Sequence, residues 1–267
     1  MSENLQNLKD FYKRVADYDL LSQSYSKKDI PFWLELIGRF DATHVLELAC
    51  GSGRIGLEIL RQQKNLRVEG LDISEERLAA YRAKLNLASD EIQQRATVHY
   101  GDMSNYHLEH KGLFDLIFVP LNSLGHLLEM KQHLDAFRLA YEHLAPGGRF
   151  VVDVFVPGQH RFDESALALG QVCDIPDEDC RLVVCSTRQY HRYTQTSTMQ
   201  GIYERFFTST GNERYFSQFS AHHFYPNELQ LLFLMSGFSI EAIYGDCSWI
   251  PFGEGIRQIV IGRKPPA

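Results

Sequence analysis

A glycine-rich loop behind a short apolar run is the feature that most restricts the fold of this chain. Residues 44–49 read HVLELA, and the next residues contain the pattern G-x-G-x-x-G at Gly51, Gly53 and Gly56. An apolar run of this length that ends in glycines is typical of a buried parallel strand. Because GRIGLEILRQQ follows with helical spacing, we predict a strand–loop–helix unit whose backbone can approach a ligand closely.

Strand and helix patterns alternate from residue 44 to residue 156. The strand patterns LRVEGLDIS, ATVHYGDM, FDLIFVPLN and RFVVDVFVP are separated by helical patterns, the last of them at 131–144. Ser74 is expected to cap the helix after the second strand. A helix is also predicted at 29–40, with Asp29 as its cap and Pro31 in its first turn. This alternation predicts an α/β fold, a doubly wound Rossmann-like sheet with helices on both faces.

The pattern changes after Pro157. Residues 158–180 are expected to be irregular, whereas 181–224 are rich in Val, Thr, Tyr and Phe and predict about three antiparallel strands. A helix at 226–236 and two closing strands follow. We therefore divide the chain into an N-terminal helical segment (1–40), a cofactor-binding domain (41–157 and 225–267) and an inserted antiparallel β subdomain (158–224) beside the ligand crevice.

Composition excludes several classes of protein. The 267 residues are 44% hydrophobic and 23% charged, with a net charge of −7 and no run of Lys or Arg. A protein that binds nucleic acid usually needs a basic face, so we expect no nucleic-acid partner. The polar start and the lack of 18 consecutive apolar residues indicate neither a secretory signal nor a membrane partner. Five cysteines without a C-x-x-C pair indicate reduced thiols, and so a cytoplasmic protein.

Three predicted strands end in carboxylates at the edge where ligands bind in open α/β sheets. Glu47 precedes the glycine loop, Asp72 ends the second strand, and Asp102 follows Gly101 after the third. Asp72 lies about twenty residues after the glycines, where a carboxylate can accept hydrogen bonds from two ribose hydroxyls. Asp102 can accept a hydrogen bond from an adenine amino group.

Glu47 distinguishes between two nucleotide ligands. A dinucleotide places a doubly negative pyrophosphate over the first loop, whereas S-adenosylmethionine places a sulfonium and an ammonium there. A carboxylate at this point favours the cation, unless Glu47 is only a helix cap or a salt-bridge partner. A dehydrogenase of the short-chain type would also need Tyr-x-x-x-Lys, and none of the thirteen tyrosines has lysine four residues later. An NAD(P)-dependent oxidoreductase is therefore a remote alternative.

The motifs VLELACGSGRIG, GLDIS and GDM resemble those of class I S-adenosylmethionine-dependent methyltransferases. The resemblance covers most of the chain and includes LAPGGRFVVDVF and HHFYPNELQLLFLMSGF. It implies a seven-stranded sheet of order 3-2-1-4-5-7-6 with strand 7 antiparallel. It also implies that Gly56 merely lets a helix pack closely, so that the G-x-G-x-x-G pattern is coincidental.

The resemblance further implies a set of residues that bind S-adenosylmethionine and its product S-adenosylhomocysteine. Gly51 and Gly53 would lie against the methionine part, Asp72 would bind the ribose, Ile73 would touch the adenine and Asp102 would accept its amino group. The expected cofactor-binding residues are Tyr25, Glu47, Ala49, Cys50, Gly51, Gly53, Asp72, Ile73, Gly101, Asp102, Met103, Pro120 and Leu121.

The methyl acceptor is less constrained. The segment after the fourth strand lacks the Asn-Pro-Pro-Tyr element of enzymes that methylate bases, and the sequence lacks the paired aspartate and asparagine that hold magnesium in catechol-type methyltransferases. Ser123-Leu124-Gly125-His126-Leu127 instead resembles small-molecule methyltransferases such as the amino-sugar N,N-dimethyltransferases. His126 would then orient the acceptor or receive its proton, with an ordinary pKa near 6.5, or else only cap a helix. Tyr18 would contact the methionine end or the acceptor from an N-terminal lid, or else only pack in a helix.

We therefore expect transfer of a methyl group to nitrogen or oxygen of a small molecule, with no metal cofactor. A protein that binds S-adenosylmethionine as a sensor or partner, without turnover, is the alternative. Eight aromatic residues at 190–219 exceed what one small sheet buries, so they predict either an acceptor-pocket wall or a homodimer interface. His222 and His223 have no third metal ligand at suitable spacing, and we expect at most one of them in the site.

Overall fold

The computed structural model describes residues 14–109, 111–158, 168–175, 179–207 and 211–267, apart from the side chains of residues 23–26, 168, 169 and 171. The α-helices are α1 (Val15–Arg39), α2 (Gly56–Gln62), α3 (Glu75–Asn86), α4 (Asp90–Gln93), α5 (Met130–His143) and α6 (Pro226–Met235). A 3₁₀ helix covers Ser123–His126. The strands are β1 (His44–Leu48), β2 (Arg67–Asp72), β3 (Ala96–Tyr100), β4 (Phe114–Val119), β5 (Leu144–Phe155), β6 (Ala168–Ile175), β7 (Cys180–His191), β8 (Thr196–Phe207), β9 (Gly211–His222), β10 (Ser239–Tyr244) and β11 (Arg257–Arg263).

Seven strands form the main sheet in the order β10-β11-β5-β4-β1-β2-β3. Strands β1 to β5 are mutually parallel, and β11 runs antiparallel to both of its neighbours. Since β10 and β11 are the sixth and seventh strands of this sheet along the chain, the predicted order 3-2-1-4-5-7-6 with an antiparallel seventh strand is confirmed.

The main sheet is buried on both faces, as its apolar strands predict. Leu46 and Leu48 of β1 face a core that includes Phe137 of α5 and Phe233 of α6. Val45, the residue before Leu46, faces the opposite core, which includes residues of α1, α2 and α3. The alternation follows from the two-residue period of a strand. The parallel pairing of β1 to β4 places their carboxyl ends side by side along one edge of the sheet.

Four antiparallel strands, β6 to β9, form a second sheet beside the first. The three strands predicted at 181–224 are confirmed as β7, β8 and β9. The irregular segment predicted at 158–180 is corrected, because β6 lies within it. Leu182, Val184 and Tyr203 of this second sheet pack against Leu20 and Leu21 of α1. The sequence of β6 mixes polar and apolar residues without a clear alternation. Its pairing with β7 identifies it as a strand, whereas its sequence pattern does not.

Helix α1 is longer than predicted. It runs from Val15 through Pro31, which stands in its interior and not in a first turn. Asp29 therefore caps no helix; its buried carboxylate accepts hydrogen bonds from the guanidinium of Arg54, at 2.6 and 2.8 Å. Ser74 does cap α3 as expected, since its Oγ accepts the backbone N–H of Arg77. Within the described helices, none has the length and apolar character needed to cross a membrane.

Candidate active site

A cavity of about 380 Å³ opens at the carboxyl ends of β1, β2, β3 and β4. Its lining contains most of the residues that the sequence indicates, namely Tyr18, Glu47, Ala49, Cys50, Asp72, Ile73, Gly101, Asp102, Met103, Pro120, Leu121 and His126. Gly51 and Gly53 shape the loop without lining the cavity. The side chain of Tyr25 lies outside the described part of the structure.

The glycine loop is built for close approach of the backbone. Gly51 has a φ of +57°, and a Cβ there would lie 2.7 Å from Nη2 of Arg77. Gly53 has a φ of +79°, and a Cβ there would lie 2.2 Å from the ring of Tyr81. A Cβ on Gly56 would lie 2.9 Å from Oε2 of Glu47, which fits the expectation that this glycine permits close packing. Only glycine combines these dihedrals with this lack of space.

Asp72 and Asp102 are held at neighbouring strand ends by backbone N–H groups. Asp72 Oδ2 accepts the N–H of Gly51 at 2.8 Å, and Oδ1 accepts that of Ser74 at 2.9 Å. Asp102 Oδ1 accepts both N–H and Oγ–H of Ser104 at 2.8 Å. Each carboxylate oxygen has further lone-pair capacity. Both groups line the cavity, where they can accept hydrogen bonds from hydroxyl or amino groups of a ligand.

Glu47 lies at the bottom of the cavity with 2% of its surface exposed. Burial raises the pKa of its carboxyl to about 8, although the nearby Arg54 guanidinium acts in the opposite direction. Within the described residues, its Oε2 has no hydrogen-bond partner. At pH 7 the side chain is therefore mostly neutral until a cation binds beside it. This qualifies the sequence argument, which treats Glu47 as a standing negative charge.

The loop between β4 and the 3₁₀ helix has an unusual backbone. Leu121 and Asn122 have φ angles of +51° and +60°, a region that non-glycine residues seldom adopt. Asp153 of β5 stabilises the loop, since its Oδ2 accepts the N–H of Leu121 at 3.0 Å and its carbonyl oxygen accepts that of Asn122 at 2.8 Å. Arg257 of β11 donates a hydrogen bond to the same Oδ2. The strained loop thus places the 3₁₀ helix at the cavity.

His126 ends that 3₁₀ helix and lines the cavity. Its ring packs edge-on against Phe219 of β9, with ring centroids 5.6 Å apart. Burial, and then the positive charge of Arg77, lowers the pKa of His126 to about 4. The imidazole is neutral at pH 7, so it can accept a hydrogen bond or a proton. However, its basicity is below the ordinary value near 6.5 on which the sequence argument rests.

Sequence reasoning missed two arginines in the site. Arg77 lines the cavity, and its guanidinium lies 4.1 Å from the ring centroid of Tyr18. Arg54 lines it beside Glu47. Arg54 directly follows the glycine loop in GSGR, and Arg77 lies in the first helical turn after GLDIS. Their proximity to these motifs was the signal that could have identified them as site residues. The other cavity residues not predicted are Ser52, Ile55, Leu71, Ser123, Leu127, Leu128, Glu129 and Gln132.

The aromatic residues of the second sheet have different environments. Tyr203 and Tyr215 stack with centroids 4.7 Å apart, and Tyr215 donates a hydrogen bond to Asp17 of α1 at 2.7 Å. Phe219 faces His126, whereas Phe216 is 72% exposed. The second sheet therefore packs on α1 and contacts the cavity-lining His126 through Phe219. His222 and His223 do not line the cavity.

Comparison with known proteins finds similarity to methyltransferases. Residues 45–148 match the protein family described as "Methyltransferase domain". A curated protein of Geobacillus sp. (strain WCH70), with methyltransferase in its name, is 29% identical over 139 residues, which are 52% of this chain and 51% of that protein. The chain thus spans about half the length of this curated relative.

Two solved structures have the same fold over nearly the whole chain. An S-adenosylmethionine-dependent methyltransferase from Clostridium acetobutylicum ATCC 824 has a TM-score of 0.78 at 18% identity, covering 96% of this chain and 99% of that one. CalS10, described as an amino pentose methyltransferase from Micromonospora echinaspora, has a TM-score of 0.72 at 19% identity, covering 93% and 95%. The fold predicted from the resemblance is confirmed.

Proposed function

Because this chain has the class I methyltransferase fold, with a methyltransferase domain at residues 45–148, we propose that it transfers a methyl group from S-adenosylmethionine to a small molecule. The observation that carries the proposal is the arrangement of Glu47, Asp72 and Asp102 around one cavity. These carboxyl groups suit an adenosine that bears a cationic tail. The acceptor atom is a nitrogen or an oxygen.

The three carboxyl groups match the parts of the cofactor in order along the sheet edge. Asp102, next to Met103, is suited to the adenine amino group, and Asp72 to the two ribose hydroxyls. Buried Glu47 is suited to the methionine end, where the sulfonium and ammonium charges would favour its ionised form. The negative charge of a pyrophosphate would be repelled by an ionised Glu47. This argument supports S-adenosylmethionine over a dinucleotide, and S-adenosylhomocysteine would occupy the same place after transfer.

The chain's own residues would position the acceptor rather than activate it strongly. When bound, the cofactor supplies an electrophilic methyl group, whose C–S bond breaks as the acceptor lone pair forms the new bond. His126, neutral at pH 7, can accept a hydrogen bond from the acceptor and take the proton that it loses. Tyr18 lines the cavity and Phe219 packs against His126, so both can limit the space open to the acceptor. Alignment of this kind supplies much of the catalysis in a direct displacement, and it requires no metal.

A small acceptor agrees with two further observations. The net charge of −7 opposes binding of nucleic acid, and the cavity has a volume of about 380 Å³. CalS10, which shares the fold, is described as acting on an amino pentose. An amino sugar or a similar polar amine is therefore the first acceptor class to test. A homodimer through the second sheet stays a prediction.

The direct experiment supplies methyl-labelled S-adenosylmethionine and pools of amino sugars, small amines and hydroxylated metabolites to the purified protein. A product heavier by about 14 Da, with matching formation of S-adenosylhomocysteine, is the expected result. Binding of the cofactor without transfer to any pool would favour a sensor without turnover. Transfer to DNA or bulk RNA in place of small molecules would contradict the proposed acceptor class.

A further inference from the structure

Outside the cavity, three potential metal ligands from three elements meet in the protein interior. They are His133 in the first turn of α5, His222 at the end of β9, and Glu228 in the first turn of α6. One donor atom from each lies within 4.8 Å of the others. His133 is 1% exposed and His222 is 5% exposed. None of the three lines the cavity, so the cluster is a separate feature of the fold.

Each of the two imidazoles has one nitrogen engaged and one unpaired. Nε2 of His133 donates to the carbonyl oxygen of Leu127 at 2.9 Å, and Nε2 of His222 donates to Oε1 of Glu228 at 2.9 Å. Since a carbonyl and a carboxylate only accept, both rings carry their proton on Nε2. Neither Nδ1 atom has a hydrogen-bond partner within the described part of the chain.

This arrangement is the one in which metal-binding histidines are usually held. Such a histidine donates its second N–H to a backbone carbonyl or a carboxylate, which fixes the tautomer and the ring orientation. Leu127 provides the carbonyl for His133, whose Nδ1 faces away from that bond. His222 and Glu228 instead share a proton between Nε2 and Oε1, and a metal ion bound by both atoms would replace that proton. Glu228 is itself fixed, because its Oε2 accepts from Nε2 of Gln195 at 2.9 Å.

The two buried imidazoles lie close together, with ring centroids 4.7 Å apart. A buried polar group without a partner is costly, and a cation would pair with Nδ1 of His133. The nearby carboxylate would balance part of its charge.

We propose that His133 and His222, with the carboxylate of Glu228, bind a divalent transition metal ion, Zn²⁺ being the first choice. Two imidazoles and one carboxylate form a donor set that zinc commonly adopts. Ligands at bond lengths of 2.0–2.1 Å stand about 3.3 Å apart in a tetrahedral site, so the side chains must draw together from their 4.8 Å limit. The Nε2–Oε1 separation of 2.9 Å is already short enough.

The ion would cross-link the second sheet to the main domain near the cavity. His222 belongs to β9, whereas His133 and Glu228 belong to α5 and α6 of the main domain. His133 also holds the carbonyl of Leu127, the residue after His126. The ion would therefore stabilise the loop that carries His126 but would take no part in methyl transfer. The proposal does not depend on that reaction.

The test uses untagged, full-length protein that has been treated with EDTA and desalted. Zn²⁺ is titrated in competition with a chromophoric chelator. We expect one equivalent to bind with a Kd below about 1 µM, and an excess of about 100 times the Kd to raise Tm by about 5–10 °C. The absence of a stoichiometric site at 10 µM Zn²⁺ in the wild type would overturn the proposal without any variant.

Variants locate the ion. His133→Ala and His222→Ala should each weaken Zn²⁺ binding about 100-fold, and Glu228→Gln about 10-fold or more. The matched control is His223→Ala, which removes the neighbouring buried histidine, bonded to Ser197 at 2.7 Å, and should leave the Kd unchanged. Binding that survives in both His133→Ala and His222→Ala, or that is lost in His223→Ala alone, would place the ion elsewhere and refute the assignment.

Discussion

Glu47 is the residue whose charge state most affects ligand binding. Its carboxyl has a pKa of about 8 because it is buried, so at pH 6 a bound cation must ionise it and displace a proton. Affinity for S-adenosylmethionine should therefore rise by nearly tenfold per pH unit between pH 5.5 and 7.5. Calorimetry at several pH values, in buffers of different ionisation enthalpy, measures both this rise and the proton released.

The matched variant is Glu47→Gln, which keeps the shape and removes the ionisable group. Its affinity should be lower at pH 7.5 and nearly independent of pH over the same range. Since S-adenosylhomocysteine lacks the sulfonium charge, the wild type should show a weaker pH dependence with it. A wild-type affinity for S-adenosylmethionine that does not change between pH 5.5 and 7.5 would contradict the role of Glu47.

His126 is the residue whose substitution separates positioning from binding. His126→Ala should lower kcat, by about 10²–10⁴-fold if the imidazole acts as a base. Affinity for the cofactor should change less than about twofold, because its charged groups are met by Glu47. His191→Ala, at an exposed position on β7, is the control and should keep full turnover.

The pH profile of the same reaction tests the environment of His126. With a pKa lowered to about 4, a basic His126 is deprotonated throughout the neutral range. We therefore expect no inflection of kcat/KM near pH 6.5 that disappears in His126→Ala. An inflection there, lost in the variant, would mean that the ring is more exposed during the reaction than this structure indicates.

At the scale of elements, the ion pair between β5 and β11 holds the loop before the 3₁₀ helix. Asp153 is fully buried and Arg257 is 7% exposed, so Asp153→Ala leaves a buried cation without its partner and the N–H of Leu121 unpaired. We expect a loss of about 3–5 kcal/mol in the free energy of unfolding, measured by urea denaturation. Turnover of the folded fraction should fall as well, because the loop positions His126.

A second ion pair of the same sheet supplies the control. Arg149 of β5 and Glu241 of β10 form a pair at 3.0 Å near the surface, with side chains 20% and 33% exposed. Glu241→Ala should cost less than about 1 kcal/mol, since exposed pairs contribute little. A loss in Asp153→Ala no larger than that in Glu241→Ala would show that the buried pair does not stabilise the loop.

At the scale of the whole molecule, apolar periodicity was sufficient to predict the strands of the main sheet but not all the elements packed around it. Strands such as β1 and β4 are buried on both faces, so their sequences are continuously apolar and their ends carry the glycines and carboxylates of the site. The strand order came from the family resemblance. Strand β6 was missed because it lies at the edge of the second sheet with a mixed sequence, and Asp29 was misassigned because α1 continues through Pro31.

The sequence alone could not predict contacts between distant segments of the chain. His133 and His222 are far apart along the chain, so no ligand spacing could reveal that they and Glu228 meet. The lowered pKa of His126 and the raised pKa of Glu47 likewise depend on burial by other elements. The site residues themselves, the domain boundaries and the cytoplasmic location stay predictions.

The central claim is that the cavity of this class I fold is made for S-adenosylmethionine, and isothermal titration calorimetry tests it most directly. We expect micromolar binding of S-adenosylmethionine and S-adenosylhomocysteine. Asp72→Asn should weaken both by about 10–100-fold, because both ligands share the ribose and a charge-assisted hydrogen bond contributes about 1.5–3 kcal/mol. Asp90→Asn, at an exposed position on α4, should have no effect. Tighter binding of NAD than of S-adenosylmethionine, or equal affinities in Asp72→Asn and the wild type, would contradict the account.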